Sequence, residues 1–197
     1  MLKIALTGKM RAGKSTVADH LTVYYGFAQF AFGDALKSFA HEIFGKPKEK
    51  DRNLYQWFGQ TMRSRDPDVW VRHLDNSIRE YIDFVNENDG PFYVKRYRDS
   101  LPKNIVITDL RQPNEYDYCR REGYTIIRVN CPEEIRIERM IAAGDRFDQT
   151  MLDHETERYV DKFDVDYEID NSGRWIDMAE QVDVIMRELR RTGLHAL

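Results

Sequence analysis

The chain alternates short apolar runs with longer stretches of helical periodicity. About five runs have the length of buried strands, and they cover residues 3–7, 28–32, 104–109, 124–129 and 165–169. Apolar positions three and four residues apart predict helices between these runs, with long ones around 71–85, 132–143 and 174–191. This order predicts one α/β domain over residues 1–197, with parallel strands joined by right-handed crossovers.

Turn and cap residues divide the helical stretches. Gly26 is expected to end a helix that begins near Lys14, and Asp34 to cap the start of the next helix. The sequence Asp66-Pro67-Asp68 separates two further helices. A short helix is predicted around 156–162, whereas the polar, basic and aromatic stretch 92–103 has no clear period and permits no assignment.

The composition limits the partners and the compartment. A formal net charge of −4 argues against a general nucleic-acid-binding surface. No apolar run approaches the length needed to cross a bilayer, and the apolar start of the chain is too short for a signal sequence. Cys119 and Cys131 have neither metal-site nor redox spacing. We therefore expect a cytoplasmic protein, in a bacterium or in the host of a phage, that binds neither membranes nor nucleic acid.

The most specific motif lies between the first strand and the first helix. It reads GKMRAGKS over residues 8–15 and fits the phosphate-binding pattern G-x-x-x-x-G-K-[ST]. Gly8 and Gly13 allow backbone conformations closed to other residues, so that successive N–H groups point into one concavity. Lys14 can reach the β- and γ-phosphates of ATP, and the Ser15 hydroxyl can bind Mg²⁺. The motif predicts a three-layer fold of the P-loop NTPase type.

A second group of candidates follows the third strand. Asp109 lies at its carboxyl end, where ligands bind in open α/β sheets, and is the best candidate for a water-mediated contact with Mg²⁺. A helix cap or a strand-end turn is the alternative. Arg111 would point into the same crevice, where its planar fork suits a phosphate group.

Arginines also flank the polar segment 144–153. This segment could close as a lid, with Arg139 and Arg146 stabilising the phosphoryl group during its transfer. The alternative is a surface loop in which the neighbouring arginines pair with Glu133 or Glu134. Spacing alone favours neither interpretation.

In combination, the motifs resemble those of nucleoside and nucleotide kinases with a P-loop. More narrowly, the chain resembles the deoxynucleoside monophosphate kinases of bacteriophages and some bacteria. The similarity covers most of the chain in the same order, and it is carried by residues 6–19, 32–37, 56–63, 68–71, 108–115 and 154–157. The opening segment is also similar to dephospho-coenzyme A kinase, and the neighbourhood of Asp109 and Arg111 to phosphomevalonate kinase.

The resemblance implies an ATP site, an acceptor site under a helical insertion at 51–86, and a lid at 144–153. ATP binding falls on the loop and the start of the next helix, which supply Gly8, Arg11, Ala12, Gly13, Lys14, Ser15 and Thr16. Asn171 is placed near the adenine. Acceptor binding falls on Asp34, Lys37, Arg63, Trp70 and Arg111, and Arg65 offers a further cation beside them.

The expected reaction moves the γ-phosphoryl group of ATP, with Mg²⁺ as cofactor, to a (deoxy)nucleoside monophosphate and gives the diphosphate. The acceptor phosphate is already a nucleophile near neutral pH, so it needs cations more than a base. If the acceptor is instead an alcohol, Asp34 could serve as the base. The alternatives are a kinase for another small acceptor, like dephospho-coenzyme A or phosphomevalonate, or an ATPase or switch protein. The aromatic-rich insertion could also bury a homodimer face.

Overall fold

The computed structural model describes residues 1–48, 51–87, 89–144 and 159–193, which form a five-stranded sheet flanked by helices. The strands are β1 (Lys3–Thr7), β2 (Phe27–Phe30), β3 (Asn104–Leu110), β4 (Thr125–Asn130) and β5 (Tyr167–Asp170). The helices described are α1 (Lys14–Tyr25), α2 (Phe32–Phe44), α3 (Arg52–Arg65), α4 (Val69–Asn86), α5 (Phe92–Asp99), α6 (Pro113–Arg121), α7 (Glu133–Ala142) and α8 (Trp175–Gly193). Within these residues, no helix has both the length and the apolar character to cross a membrane.

The sheet order is β2-β3-β1-β4-β5, and each neighbouring pair of strands is parallel. The predicted number and direction of strands are confirmed. Because all the strands are parallel, their carboxyl ends meet at one edge. Thr7 pairs with Leu110 at that edge, and the Thr7 hydroxyl donates a hydrogen bond of 3.0 Å to the Leu110 carbonyl. The glycine loop and the residues after β3 therefore begin side by side.

The sheet is covered on both faces, which confirms the three-layer arrangement. Successive side chains of a strand point to opposite faces, so Ile4 and Leu6 join one core cluster while Ala5 joins the other. Helices α1 and α8 cover the first face with Val17, Leu21, Met178 and Val182. Helices α4 and α6 cover the second face with Val71, Leu74, Ile78, Tyr118 and Cys119. Burial on both faces explains why the strands read as continuous apolar runs.

Helices α2, α3 and α4 share a smaller core of their own, made by Leu36, Ala40, Phe58 and Trp70. Gly59 allows α3 to approach α2 closely, because a Cβ atom at this position would lie only 2.5 Å from Leu36 Cδ1. The predicted insertion at 51–86 therefore consists of two helices packed on α2. It joins the sheet through α4, whose other apolar side chains belong to the second face.

Helix α2 begins three residues before the predicted position. Its N-cap residue is Ala31, so the expectation that Asp34 caps this helix is wrong; Asp34 lies in the first turn. Alanine has no side-chain oxygen to accept from the free N–H groups of a helix start. The acceptor comes instead from Asp109, 77 residues away, and local sequence could not indicate it.

The unassigned stretch 92–103 begins with helix α5. The burial of its side chains is the reverse of the usual amphipathic pattern. Phe92 and Tyr93 are exposed, whereas Arg98 is buried and donates to the carbonyls of Glu87 and Asp89. Hydrophobic periodicity could not detect a helix whose inward residue is an arginine.

The short helix predicted at 156–162 lies partly outside the described residues, and residues 159–162 form a turn with a hydrogen bond from Lys162 N to Tyr159 O.

Candidate active site

The loop after β1 has the conformation expected of a phosphate cradle. Gly8 and Gly13 have φ angles of 137° and 101°, and Arg11 is the one non-glycine residue with positive φ in the described part of the chain. Ala12 N donates to Lys9 O at 3.2 Å and closes the turn. The loop then leads directly into α1, whose first turn has no acidic side chain. The positive end of the helix dipole is therefore available to an anion.

The two glycines of the motif are also required by their neighbours within the fold. A Cβ atom on Gly8 would lie 2.4 Å from the carbonyl oxygen of Val129 on β4. On Gly13 it would lie 1.9 Å from Asn171 Nδ2. Both contacts involve polar groups that are held by the fold, so any larger side chain would displace the loop from the sheet edge.

Lys14 lies along the inside of the loop. It is buried, and its ammonium group donates to the carbonyls of Gly8, at 2.6 Å, and Lys9, at 2.9 Å. These bonds hold the charge within the concavity, from which it can turn towards a phosphate. Ser15 is exposed and Thr16 half-buried in the first turn of α1. The structure thus brings together the ATP-site residues predicted in the loop.

Asn171 and Arg139 support the loop from outside. Asn171 is buried, and its amide nitrogen donates to Ala12 O at 2.8 Å. Arg139 donates to Asn171 O at 2.8 Å and to the carbonyls of Arg11 and Ala12 at 3.4 and 3.5 Å. In this arrangement Arg139 ties α7 and the β5–α8 turn to the glycine loop. These contacts do not include Glu133 or Glu134, and the predicted role of Arg139 in phosphoryl transfer stays a prediction.

A cavity of about 430 Å³ lies beside the loop, bounded by Gly8, Lys9 and Ala12 on one side and by the end of β4 on the other. Arg136 lines it and donates to Met10 O at 3.3 Å, and it also pairs with Glu133 at 3.2 Å. Lys9, one of the two cations at the variable positions of the motif, pairs with Asp161 at 2.9 Å. The cavity therefore adjoins the phosphate cradle and has charged groups of both signs.

Asp109 caps α2 with both carboxylate oxygens. They accept from Phe32 N at 2.8 Å and from Gly33 N at 3.0 Å. Burial raises the pKa of this carboxyl group, while the two N–H donors and the positive charges of Arg111 and Lys37 oppose the rise. Asp109 thus caps a helix, but this is the distant α2; the helix that follows Asp109, α6, has Gln112 as its N-cap residue. A second lone pair on each oxygen leaves room for a water-mediated metal contact.

Cationic side chains from three elements gather at this end of β3. Lys37 comes from α2, Arg63 from α3 and Arg111 from the turn before α6; Lys37 pairs with exposed Asp34 at 3.4 Å. Arg63 pairs with Glu115 at 3.4 Å. We call this group, Lys37, Arg63, Arg111, half-buried Asp109 and buried Glu115, the acceptor crevice. It contains three of the six predicted acceptor residues.

Other predicted residues lie apart from the crevice. Trp70 is 2% exposed, and its ring N–H donates to Gly59 O at 3.3 Å, so its indole belongs to the core between α3 and α4. Arg65 is exposed at the end of α3. Arg146 and nearly all of the predicted lid at 144–153 lie outside the described residues.

Sequence reasoning missed Glu115. Its side chain accepts from the main-chain N–H groups of Arg111 and Gln112 at 2.9 and 3.0 Å. Burial raises its pKa to about 7, and the neighbouring charge of Asp109 adds to this effect. The sequence does contain a signal for Glu115. Gln112, followed by Pro113 and then by Glu115 three positions after Gln112, has the pattern of a capping box at a helix N-terminus.

Asp109→Asn is expected to destabilise the fold. An asparagine has one carboxamide oxygen and one NH₂ group, so one of the two α2 N–H groups would face another donor and lose its acceptor. The free energy of unfolding should fall by ~1–3 kcal/mol, measured by urea denaturation. An unchanged value would mean that the two capping bonds do not support α2. Mg²⁺ titrations of the variant have to be interpreted together with this loss of stability.

The comparisons with known proteins agree with this geometry. A family model described as an AAA domain matches residues 4–161. The chain belongs to this family. A protein of Acanthamoeba polyphaga mimivirus, named "Putative deoxynucleotide monophosphate kinase", is 30% identical over 145 residues, which are 67% of this chain and 75% of the viral protein. These matches confirm the resemblance indicated by the motifs, and the chain is a P-loop kinase.

Solved structures show the same fold in other kinases. A gluconokinase from Sinorhizobium meliloti 1021 superposes with a TM-score of 0.54 at 13% identity, over 99% of this chain and 97% of the other. A shikimate kinase from Bacteroides thetaiotaomicron gives a TM-score of 0.52 at 15% identity, over 96% and 98%. At such identities the likeness shows the fold alone. The acceptor has to be inferred from the crevice of this kinase.

Proposed function

We propose that this kinase transfers the γ-phosphoryl group of ATP to the phosphate of a (deoxy)nucleoside monophosphate and forms the diphosphate. One observation carries the proposal: Lys37, Arg63 and Arg111 come from three separate elements to the carboxylates Asp109 and Glu115, at the edge of the sheet where β1 and β3 end side by side. Three converging cations suit a dianionic phosphate far better than a neutral sugar or a simple alcohol. The name of the mimivirus relative supports the same acceptor class.

The chemistry of the crevice favours a phosphate nucleophile over an alcohol. A phosphate monoester has its second ionisation near pH 6 and needs no base at neutral pH. An alcohol would need a carboxylate within hydrogen-bond reach. Both oxygens of Asp109 already accept main-chain N–H groups, and Asp34 is exposed and paired with Lys37. Catalysis would then rest on positioning and on neutralising charge.

Mg²⁺ fits the groups at the sheet edge. Among the described residues, no three or more His, Cys, Asp or Glu side chains are grouped so that they could bind a metal ion by themselves. Mg²⁺ commonly uses one or two protein oxygens, with phosphates and waters completing the octahedron. The Ser15 hydroxyl would be one ligand, and Asp109 would act through water. When bound, the ion would neutralise charge on the β- and γ-phosphates.

An acceptor panel tests the proposal. ADP release should be slow with ATP alone and rise strongly with at least one ribo- or deoxynucleoside monophosphate. Dephospho-coenzyme A, phosphomevalonate, gluconate and shikimate serve as competing acceptors in the same coupled assay. Faster turnover with one of these than with any nucleoside monophosphate would contradict the proposal, and turnover independent of every acceptor would favour an ATPase or switch protein.

A further inference from the structure

Glu115 is the most completely buried acidic side chain near the acceptor crevice among the residues described, at 2% exposure. One carboxylate oxygen accepts from the N–H groups of Arg111 and Gln112. The other faces Arg63 on α3 at 3.4 Å. The carboxylate therefore connects α3 to the turn that carries Arg111, although Arg63 and Glu115 are 52 residues apart in sequence.

Glu115 contacts both segments that carry the arginines of the acceptor crevice, Arg63 and Arg111. Gly59 lies one turn before Arg63 on α3. A Cβ atom built on Gly59 would lie 3.3 Å from Arg63 Nη1, so the guanidinium group lies close to the helix backbone. Arg63 is about one quarter exposed, so its free edge can face a ligand while Glu115 holds the other edge. Arg111 has its main chain fixed by the same carboxylate. Two of the three crevice cations thus depend on one buried group.

A buried charge of this kind is costly for the fold itself. Burial disfavours the ionised carboxylate, and the nearby negative charge of Asp109 disfavours it further. A glutamine of the same size would avoid the cost of charge burial and still offer an oxygen to the two main-chain N–H groups. Its NH₂ group would face the Arg63 guanidinium, which is about one quarter exposed and can turn to water. Stability alone therefore gives little reason for a carboxylate here, whereas the orientation of two phosphate-binding arginines does.

We propose that Glu115 is a positioning residue that orients Arg63 and the Arg111 turn for the acceptor phosphate, without contacting either substrate. The inference rests on the proposed function, because it assigns Arg63 and Arg111 to the acceptor. Its effect is specific to one substrate. Loss of the Glu115 charge weakens binding of the nucleoside monophosphate and leaves the ATP site, which lies on the glycine loop, intact.

The first test is Glu115→Gln, assayed with the best nucleoside monophosphate of the acceptor panel. The KM for this acceptor should rise roughly 5- to 30-fold, the loss expected when a charge-assisted contact is disordered. The KM for ATP should change by less than about twofold. Asp117→Asn, an exposed acid on the same helix α6, is the matched control and should leave both constants unchanged. Equal changes in both constants, or no change in the acceptor constant, would overturn the proposal.

A double-mutant cycle tests whether Glu115 acts through Arg63. In an Arg63→Met background, Glu115→Gln should alter the acceptor KM by much less than in the wild type, because the group it orients is gone. Additive effects would overturn the inference while leaving the proposed function in place. A wild-type protein that phosphorylates no nucleoside monophosphate would overturn both, so the two failures are distinguishable.

Thermal denaturation at pH 8 separates positioning from a structural role. The folded pKa of about 7 lies above the ordinary value of 4.5, so the wild type bears the full cost of the buried charge above pH 7 and little of it below pH 4.5. Glu115→Gln should therefore melt at a temperature no lower than the wild type at pH 8. A clear drop in melting temperature, together with weaker binding of both substrates, would make Glu115 a structural anchor and overturn the proposal.

Discussion

Lys14→Ala is expected to lower kcat by at least ~10²-fold, the scale seen when a preorganised charge-stabilising donor is removed. The ammonium group lies inside the loop, within hydrogen-bond distance of the Gly8 and Lys9 carbonyls. It can follow the negative charge that develops on the transferring phosphoryl group. Because these two bonds also help to close the loop, part of the loss should be in ATP affinity. Initial rates at saturating ATP and acceptor measure the effect on kcat.

The matched control is Lys103→Ala, which removes an exposed lysine between α5 and β3. It should retain wild-type kinetics. Circular dichroism of Lys14→Ala should match that of the wild type, since the Lys14 side chain belongs to neither of the two core clusters that cover the sheet. If Lys14→Ala keeps its kcat within a factor of a few, the loop lysine is not part of the transfer machinery.

Arg111→Lys is expected to impair the acceptor and spare ATP. Lysine keeps the positive charge but loses the planar fork that binds two phosphate oxygens at once. A charge-assisted contact of ~1.5–3 kcal/mol corresponds to a roughly ten- to hundred-fold fall in kcat/KM for the nucleoside monophosphate. The KM for ATP should stay nearly constant. Steady-state kinetics with each substrate varied in turn give both constants.

The control for this variant is Arg96→Lys, on the exposed side of α5. It should not change either constant. If Arg111→Lys weakened ATP alone, Arg111 would belong to the donor side of the site. If neither constant moved, the arginine would have a structural role, and the crevice would lose its best-placed phosphate ligand.

The fold and the loop could be predicted because their signals are local. A buried strand, a glycine pattern of fixed spacing and a helix follow one another within residues 3–25, and each has its own periodicity or turn chemistry. The remaining parallel strands read as apolar runs for the same reason. Their observed bounds differ from the predicted ones by a few residues at most.

The acceptor side was less predictable because it is made by contacts between distant residues. Asp109 caps a helix 77 positions earlier, and Glu115 pairs with an arginine 52 positions earlier. The resemblance implies that Trp70 binds the ligand, but an aromatic residue can equally complete a small core, as Trp70 does beside Phe58. In each case the local sequence shows which side chain is present, but it does not show which distant element supplies the group that this side chain contacts.

Product analysis with γ-labelled ATP tests the central claim most directly. The kinase is incubated with labelled ATP, Mg²⁺ and the best-accepted nucleoside monophosphate, and the products are separated and degraded to locate the label. The account predicts label on the β-phosphate of the nucleoside diphosphate, in amounts equal to the ADP formed. Label found only as inorganic phosphate, or on a sugar hydroxyl of the acceptor, would contradict it.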